Sequence, residues 1–235
     1  MSSIRVVALM LFVGCACPCV LASPPADFQN QLVISDLDFP MALEFLPDGT
    51  MLVAHKGGLV GRVEPGLTTL DPVPFLTIPH VDTFAARGVY DLILDPNFIV
   101  NGYVYVFYSN ATVGRNRVSR FVSIDGIAVP SSEVVVWQDE PIVGDGHYGG
   151  GIAFGPDGRL YIAVGEELDG PQAQDLHRGG GKIHRVNPDG SVPTDNPFFD
   201  GTGPNVDSIW ALGFRNPFRM HWDLAASRLF VGDVS

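Results

Sequence analysis

Short apolar runs, broken by turns rich in Gly and Pro, fill most of the chain. Met41-Ala-Leu-Glu-Phe45 alternates apolar and polar positions up to Pro47-Asp48-Gly49, and the apolar run Met51-Leu-Val-Ala54 follows. This is the pattern of two antiparallel strands joined by a tight turn. The unit recurs three times. Val89 to Leu94 leads through Asp95-Pro96-Asn97 to Tyr103-Val-Tyr-Val-Phe-Tyr108, and Gly151 to Phe154 leads through Gly155-Pro-Asp-Gly158 to Leu160-Tyr-Ile-Ala-Val164. The fourth copy runs from Phe218 to Trp222, through Asp223, to Leu229-Phe-Val231. Third strands are predicted after the first three copies, at Val60 to Val63, Val118 to Phe121 and Lys182 to Val186.

The turns lie roughly 50 to 70 residues apart, too far for a compact solenoid and suited to antiparallel blades with long loops between them. Beyond residue 22 almost no segment carries helical apolar periodicity. The expected fold is therefore all-β, a β-propeller with about three and a half blades in this chain. A β-sandwich is the alternative, and it does not require the strand, turn, strand unit to recur. Because the fourth copy stops after two strands, the chain is expected to be the N-terminal portion of a longer protein. The apolar face of the first blade and the open edge of the fourth are expected to be exposed.

The N-terminus changes the domain picture. Arg5 precedes an uncharged apolar run from Val6 to Leu21, ending in Val20-Leu21-Ala22 before Ser23. This predicts a signal peptide over residues 1–22 and an incomplete propeller domain over residues 23–235, secreted or periplasmic. A buried N-terminal helix is the other reading. Phe12-Val13-Gly14-Cys15 also resembles a bacterial lipoprotein cleavage site, which would leave Cys15 as a lipid anchor. All three cysteines, Cys15, Cys17 and Cys19, lie in this segment, so the mature domain needs no disulfide. No later run is long enough to predict a transmembrane helix.

Composition then narrows the function. With 14 Lys+Arg against 26 Asp+Glu the formal net charge is −12, and Lys56 and Lys182 are the lysines. A nucleic-acid partner is excluded on this balance, since phosphate affinity needs clustered cations. The mature chain has no Gly-x-Ser-x-Gly elbow, no His-Glu-x-x-His and no Cys-x-x-Cys. Gly179-Gly-Gly-Lys182 is followed by Ile183 in place of a magnesium-holding hydroxyl, and Asn187-Pro-Asp-Gly190 lacks the carboxylate series of a calcium-binding hand and reads as a turn.

Two constellations remain. Asp145-Gly-His147-Tyr-Gly149-Gly-Gly151 sets an imidazole beside three glycines just before a blade's first strand. The glycines are expected to let a flat ligand approach the backbone, and the histidine to accept a proton. Ile209-Trp-Ala-Leu-Gly-Phe-Arg215-Asn216-Pro217-Phe218 puts a guanidinium and an amide at the equivalent place before the next blade. Alone, the first also fits an idle loop histidine and the second a plain turn. Together they face one end of the ring.

At these residues the sequence resembles the soluble quinoprotein sugar dehydrogenases, or glucose/sorbosone dehydrogenases. The resemblance runs from about Phe39 to Val234. It rests on Phe45-Leu-Pro-Asp-Gly49, Asp95-Pro-Asn-Phe98, the run from His147 to Ile162, Gly181-Lys-Ile-His-Arg-Val-Asn-Pro-Asp-Gly190, and Gly213-Phe-Arg-Asn-Pro-Phe218. It implies a six-bladed propeller carrying pyrroloquinoline quinone (PQQ) over its central channel, an aldose oxidised at C1 to a lactone, and an external electron acceptor. It implies His147 as the general base and Arg215 and Asn216 as cofactor-binding residues. It also implies calcium in the full-length protein, held by ligands outside this chain, and no metal site within it.

The chain departs from the pattern at Ala86-Arg87, where relatives carry Glu or Gln at the first position. It departs again at Val89-Tyr90 and at Gly179-Gly180, each in place of a Leu-Leu pair. Three readings stay open: an aldose dehydrogenase, inactive in this truncated form; a non-catalytic propeller that binds a partner; and a degenerate gene fragment. Joint retention of His147, Arg215 and Asn216 favours the first.

Overall fold

The computed structural model describes residue 25 and residues 27 to 234. The signal peptide and the Cys15 anchor fall outside the described residues. The rest follows the repeat read from the sequence. The first sheet holds β1 (Pro40–Phe45), β2 (Met51–His55), β3 (Leu59–Val63) and the two-residue β4 (Leu76–Thr77), hydrogen-bonded in chain order. The second holds β5 (Val89–Leu94), β6 (Tyr103–Asn110), β7 (Arg115–Ile124) and β8 (Ile127–Pro141), with the short helix α1 (Phe98–Asn101) in its first turn. The third holds β9 (Ile152–Phe154), β10 (Leu160–Val164), β11 (Lys182–Val186) and β12 (Ile209–Leu212), and the fourth pairs β13 (Pro217–Asp223) with β14 (Arg228–Asp233). Each sheet is an antiparallel meander. The first strands pack side by side, β1 on β5, β5 on β9 and β9 on β13, as the inner strands of successive propeller blades do.

The turns form for the reasons their residues suggest. In Pro47-Asp48-Gly49 the Asp48 carboxylate accepts the Thr50 N–H, and Gly49 takes φ +89°, which a side chain would resist. Gly155 to Gly158 repeats the arrangement, with Asp157 accepting the Arg159 N–H. The Asn187 to Gly190 segment is a turn as well, closed by a hydrogen bond from Gly190 N–H to the Asn187 carbonyl.

Core packing follows the period-2 alternation of the middle strands. On β6, Val104, Val106 and Tyr108 join Leu52, Ala54 and Val60 of the first sheet, while Tyr105 and Phe107 face Leu160, Ile162 and Val164 of the third. On β10 the opposite side chains, Tyr161 and Ala163, meet Met220, Trp222 and Val231 of the fourth. Covered on both faces, such strands need no polar side, which is why β2 and β10 read as unbroken apolar runs.

One expectation is corrected here. The outer face of the first sheet is not bare. Met51, Val53 and Val63 are buried beneath Val33, Ile34 and Leu37 of the segment preceding β1 and Leu70 of the loop between β3 and β4, which together cover that face.

Topology fixes where function can sit. First strands begin, and second strands end, at the same end of the ring. The loops 78–88, 142–151 and 213–216, which lead into β5, β9 and β13, therefore share that end with the loop 165–181 that follows β10.

Candidate active site at one end of the ring

His147 sits in the loop before β9 with φ +55°, a left-handed conformation that a residue with a side chain adopts at a cost of about 1–2 kcal/mol. The loop is laced to the end of β10. Ala163 N–H donates to the Gly151 carbonyl at 2.8 Å, Gly150 N–H to the Ala163 carbonyl at 3.1 Å, and Glu167 N–H to the His147 carbonyl at 3.1 Å. These contacts need bare backbone. A Cβ on Gly165 would lie 2.0 Å from the His147 carbonyl oxygen, and one on Gly149 would lie 2.4 Å from that of Ala163.

The glycine run also lets neighbouring protein approach. A Cβ on Gly151 would meet the backbone of Arg219 and Met220. Gly149 and Gly151 let protein backbone come close.

The imidazole has a partner that sequence reasoning did not name. Glu166, two residues past the end of β10, is buried, and its carboxylate takes the Nδ1–H of His147, whose side chain is 18% exposed. That hydrogen bond selects the tautomer with its lone pair on Nε2. No partner for Nε2 is found among the described residues. A usable signal was present: an acidic pair, Glu166-Glu167, follows an apolar strand that ends on the His147 side of the ring.

Arg215 and Asn216 are brought to the same place, largely through their backbone and through Asn216's amide. Asn216 Oδ1 accepts the Gly149 N–H at 2.9 Å, and the Arg215 carbonyl accepts the Glu166 N–H at 2.9 Å. Asp233 accepts the backbone N–H groups of both residues. The exposed Arg215 guanidinium donates to the Val234 carbonyl at 2.8 Å and has no carboxylate partner among the described residues.

Arg87, Tyr90, Gly179 and Gly180, at or beside the departures, each have a local physical account. Arg87 spans two loops: it donates to Tyr148 Oη at 3.0 Å, to the Gly144 carbonyl at 3.1 Å and to Asp82 at 3.0 Å, bracing the histidine loop against the loop before β5. The Tyr90 hydroxyl, buried, joins Ser109 and Asn116, and Asn116 in turn reaches Glu167. Gly179 and Gly180 vacate space for polar groups: a Cβ would lie 2.6 Å from Asp139 Oδ1 at the first and 2.5 Å from Gln172 Oε1 at the second. Lys182 is wholly buried on β11 and is held by two carbonyls, so it is no phosphate ligand, and burial pushes its ammonium down to about 8.

Asp139 yields a pH prediction. Burial raises its carboxyl from 3.8 to about 7, against the opposing hydrogen bond from Glu140 N–H. Between those values the folded chain holds a proton that the unfolded chain has released, so this group costs stability increasingly as pH rises and costs nothing below the window. Asp139→Asn should therefore gain on the parent between pH 4 and 7, by about 4 kcal/mol at the plateau. Urea midpoints at pH 4 and pH 8 measure it, and an identical difference at the two values would refute the buried-carboxylate account.

Along the axis, Met41, Leu43, Asp91, Ile152, Arg219 and Trp222 are among the side chains around a cavity of about 500 Å³. Arg219 crosses it from the fourth sheet to the Met41 carbonyl of the first, at 2.6 Å. No described helix is long and apolar enough to cross a membrane.

Comparison with known proteins matches this arrangement to one family. The sequence profile of the family described as glucose/sorbosone dehydrogenase matches residues 37–234. Aldose sugar dehydrogenase YliI of Escherichia coli is 30% identical over 223 residues, covering 91% of this chain and 58% of that protein. Quinoprotein glucose dehydrogenase B of Acinetobacter calcoaceticus is 28% identical over 228 residues, covering 81% and 45%. The PQQ-bound aldose sugar dehydrogenase of Streptomyces coelicolor superposes with a TM-score of 0.75 at 29% identity, over 86% of this chain and 58% of that one. The chain spans about half the length of the curated relatives it matches.

Proposed function

The chain belongs to the glucose/sorbosone dehydrogenase family, and from that membership we propose that the protein is an exported aldose dehydrogenase dependent on PQQ, oxidising the sugar's C1 hydroxyl to the lactone. The observation that carries the reading is the His147–Glu166 pair, with no partner for Nε2 among the described residues, at the end of the ring where Arg215 and Asn216 dock. The residues fit an anionic quinone in kind. Arg215 offers a guanidinium without a carboxylate partner among the described residues, and the Asn216 amide nitrogen has no protein acceptor among them. When bound, the quinone supplies the acceptor for the hydride leaving C1.

What the chain itself does follows from the geometry. His147 takes the C1 hydroxyl proton on Nε2. Glu166 holds the ring by Nδ1 and stabilises the imidazolium that forms, as a buried carboxylate does behind other catalytic histidines. Arg215 would hold the anionic quinone, supplying fixed positive charge that would favour negative charge on the acceptor, an effect that grows as water is excluded. Among the described residues there is no group of three His, Cys, Asp or Glu side chains suited to a metal.

To test the reading, protein produced from its native gene is titrated with quinone and then given an aldose and a redox dye. Dye reduction that requires both quinone and sugar is expected. Quinone binding without sugar-dependent reduction would overturn the enzyme reading in favour of a propeller used for binding alone.

A further inference from the structure

Behind the imidazole lies a polar cluster for which the proposed reaction has no use. Gln172, 6% exposed, sits in the 3₁₀ turn Gly170–Gln174, and its side-chain N–H donates to the Glu166 carbonyl, which also accepts the Asp169 N–H at 2.7 Å. The carbonyl of Gln172 accepts from the buried Lys182 ammonium at 2.6 Å, and the Gly180 carbonyl accepts from it at 2.7 Å. Both partners of this buried cation are carbonyls, whereas an apolar side chain of similar volume would fill the place without the cost of burying a charge. Room for the Gln172 carboxamide exists because residue 180 is glycine: a Cβ there would lie within 2.9 Å of its Oε1, Cδ and Nε2.

The segment this cluster holds does not specify itself. Glu166 is followed by Glu167 at φ +49° and Leu168 at φ +68°, two consecutive side-chain-bearing residues in the left-handed region. Such backbone persists where surrounding contacts over-determine it. A turn that relaxed would carry the Glu166 carboxylate away from Nδ1.

We propose that Gln172, seated over Gly180 and braced by Lys182, is a positioning residue that fixes Glu166 against His147 and so sets the orientation of the imidazole. The proposal rests on His147 being the base, but its test does not require sugar oxidation.

The readout is the downfield Nδ1 proton of His147 in histidine-labelled protein, assigned by its disappearance in His147→Gln. Gly180→Ala is the cleanest variant. Its methyl displaces the far end of a flexible side chain, so the fold survives while the carboxamide loses its seat. Gly180→Ala and Gln172→Leu should each abolish the downfield resonance or shift it upfield, and Lys182→Met should do the same. Val104→Ala, a core truncation between the first and second sheets, should lower stability and leave the resonance in place. In quinone-loaded protein, turnover in Gly180→Ala should fall roughly tenfold to a hundredfold with KM little changed, the scale expected for a misplaced catalytic group. An unchanged resonance in Gly180→Ala and Gln172→Leu overturns the proposal, and so does equal loss in Val104→Ala. Retention in a folded Lys182→Met overturns the brace. If Lys182→Met fails to fold, the other two variants decide, since both leave Lys182 in place. A parent protein produced from its native gene that shows the resonance but oxidises no sugar refutes the proposed function, while the effect of the variants on the resonance still decides whether Gln172 positions Glu166 against His147.

Discussion

His147→Ala in the quinone-loaded protein should lower turnover by roughly two to four orders of magnitude, the usual contribution of a positioned acid-base group, with KM changed by no more than a few-fold. The size of the effect follows from the pairing. With Glu166 holding Nδ1, the lone pair of the neutral ring is confined to Nε2, and the proposed base would enter each turnover in a single tautomer. Alanine removes the acceptor and leaves the Glu166 carboxylate buried without its partner. Glu166→Gln separates the two contributions. It keeps the shape but withdraws the charge that stabilises the imidazolium, so its loss should be large yet smaller than that of His147→Ala. Stopped-flow turnover and KM for the two variants check the order. Turnover of His147→Ala within a few-fold of the parent would make the histidine an idle loop residue.

Gly165→Ala should be the most disruptive methyl that can be added at the site. The new Cβ would stand 2.0 Å from the His147 carbonyl oxygen and 2.8 Å from the Gly149 amide nitrogen. Both are backbone atoms that cannot rotate away, so the loop and strand end must separate. Overpacking of this kind costs about 1–3 kcal/mol, or about 3–10 °C in Tm for a chain of this length. The same displacement pulls the 165–167 segment off the histidine loop, so sugar oxidation should be lost even at temperatures where the fold is intact. Calorimetry and turnover measured together test it. A variant with the parent's Tm and activity would mean that the two loops are not in backbone contact.

The repeat was legible because each unit states its own structure. Pro47-Asp48-Gly49 and Gly155-Pro-Asp-Gly158 punctuate strands whose apolar runs match β2 and β10 residue for residue at their cores. The fourth strands were not legible, for two reasons. β4 is two residues long, and β8 meets β7 through several register irregularities that break any clean alternation. At the site, His147, Arg215 and Asn216 were readable from equivalent positions before successive blades. Glu166 was not, because its partnership with His147 depends on strand direction rather than on sequence distance. The departures at Tyr90 and Gly179-Gly180 illustrate the same limit. As isolated letters they look like losses of apolar packing. In the fold, the hydroxyl and the two vacated spaces are taken up by polar groups from other elements: Ser109 and Asn116, Asp139, and Gln172.

The packing between blades also determines what light can report about this protein. The three tryptophans lie beyond the first sheet. Trp137 stands between the second and third sheets, its ring centroid 6.1 Å from that of Phe107 and 4.9 Å from the imidazole of His184. Trp210 and Trp222 flank Tyr161 between the third and fourth, with indole centroids 6.5 Å apart, close enough for their transitions to couple. Indole emission and near-ultraviolet dichroism therefore follow those two junctions. Separation of the first sheet from the second passes unseen by tryptophan, and its optical trace falls to Tyr108 in the cluster those sheets share.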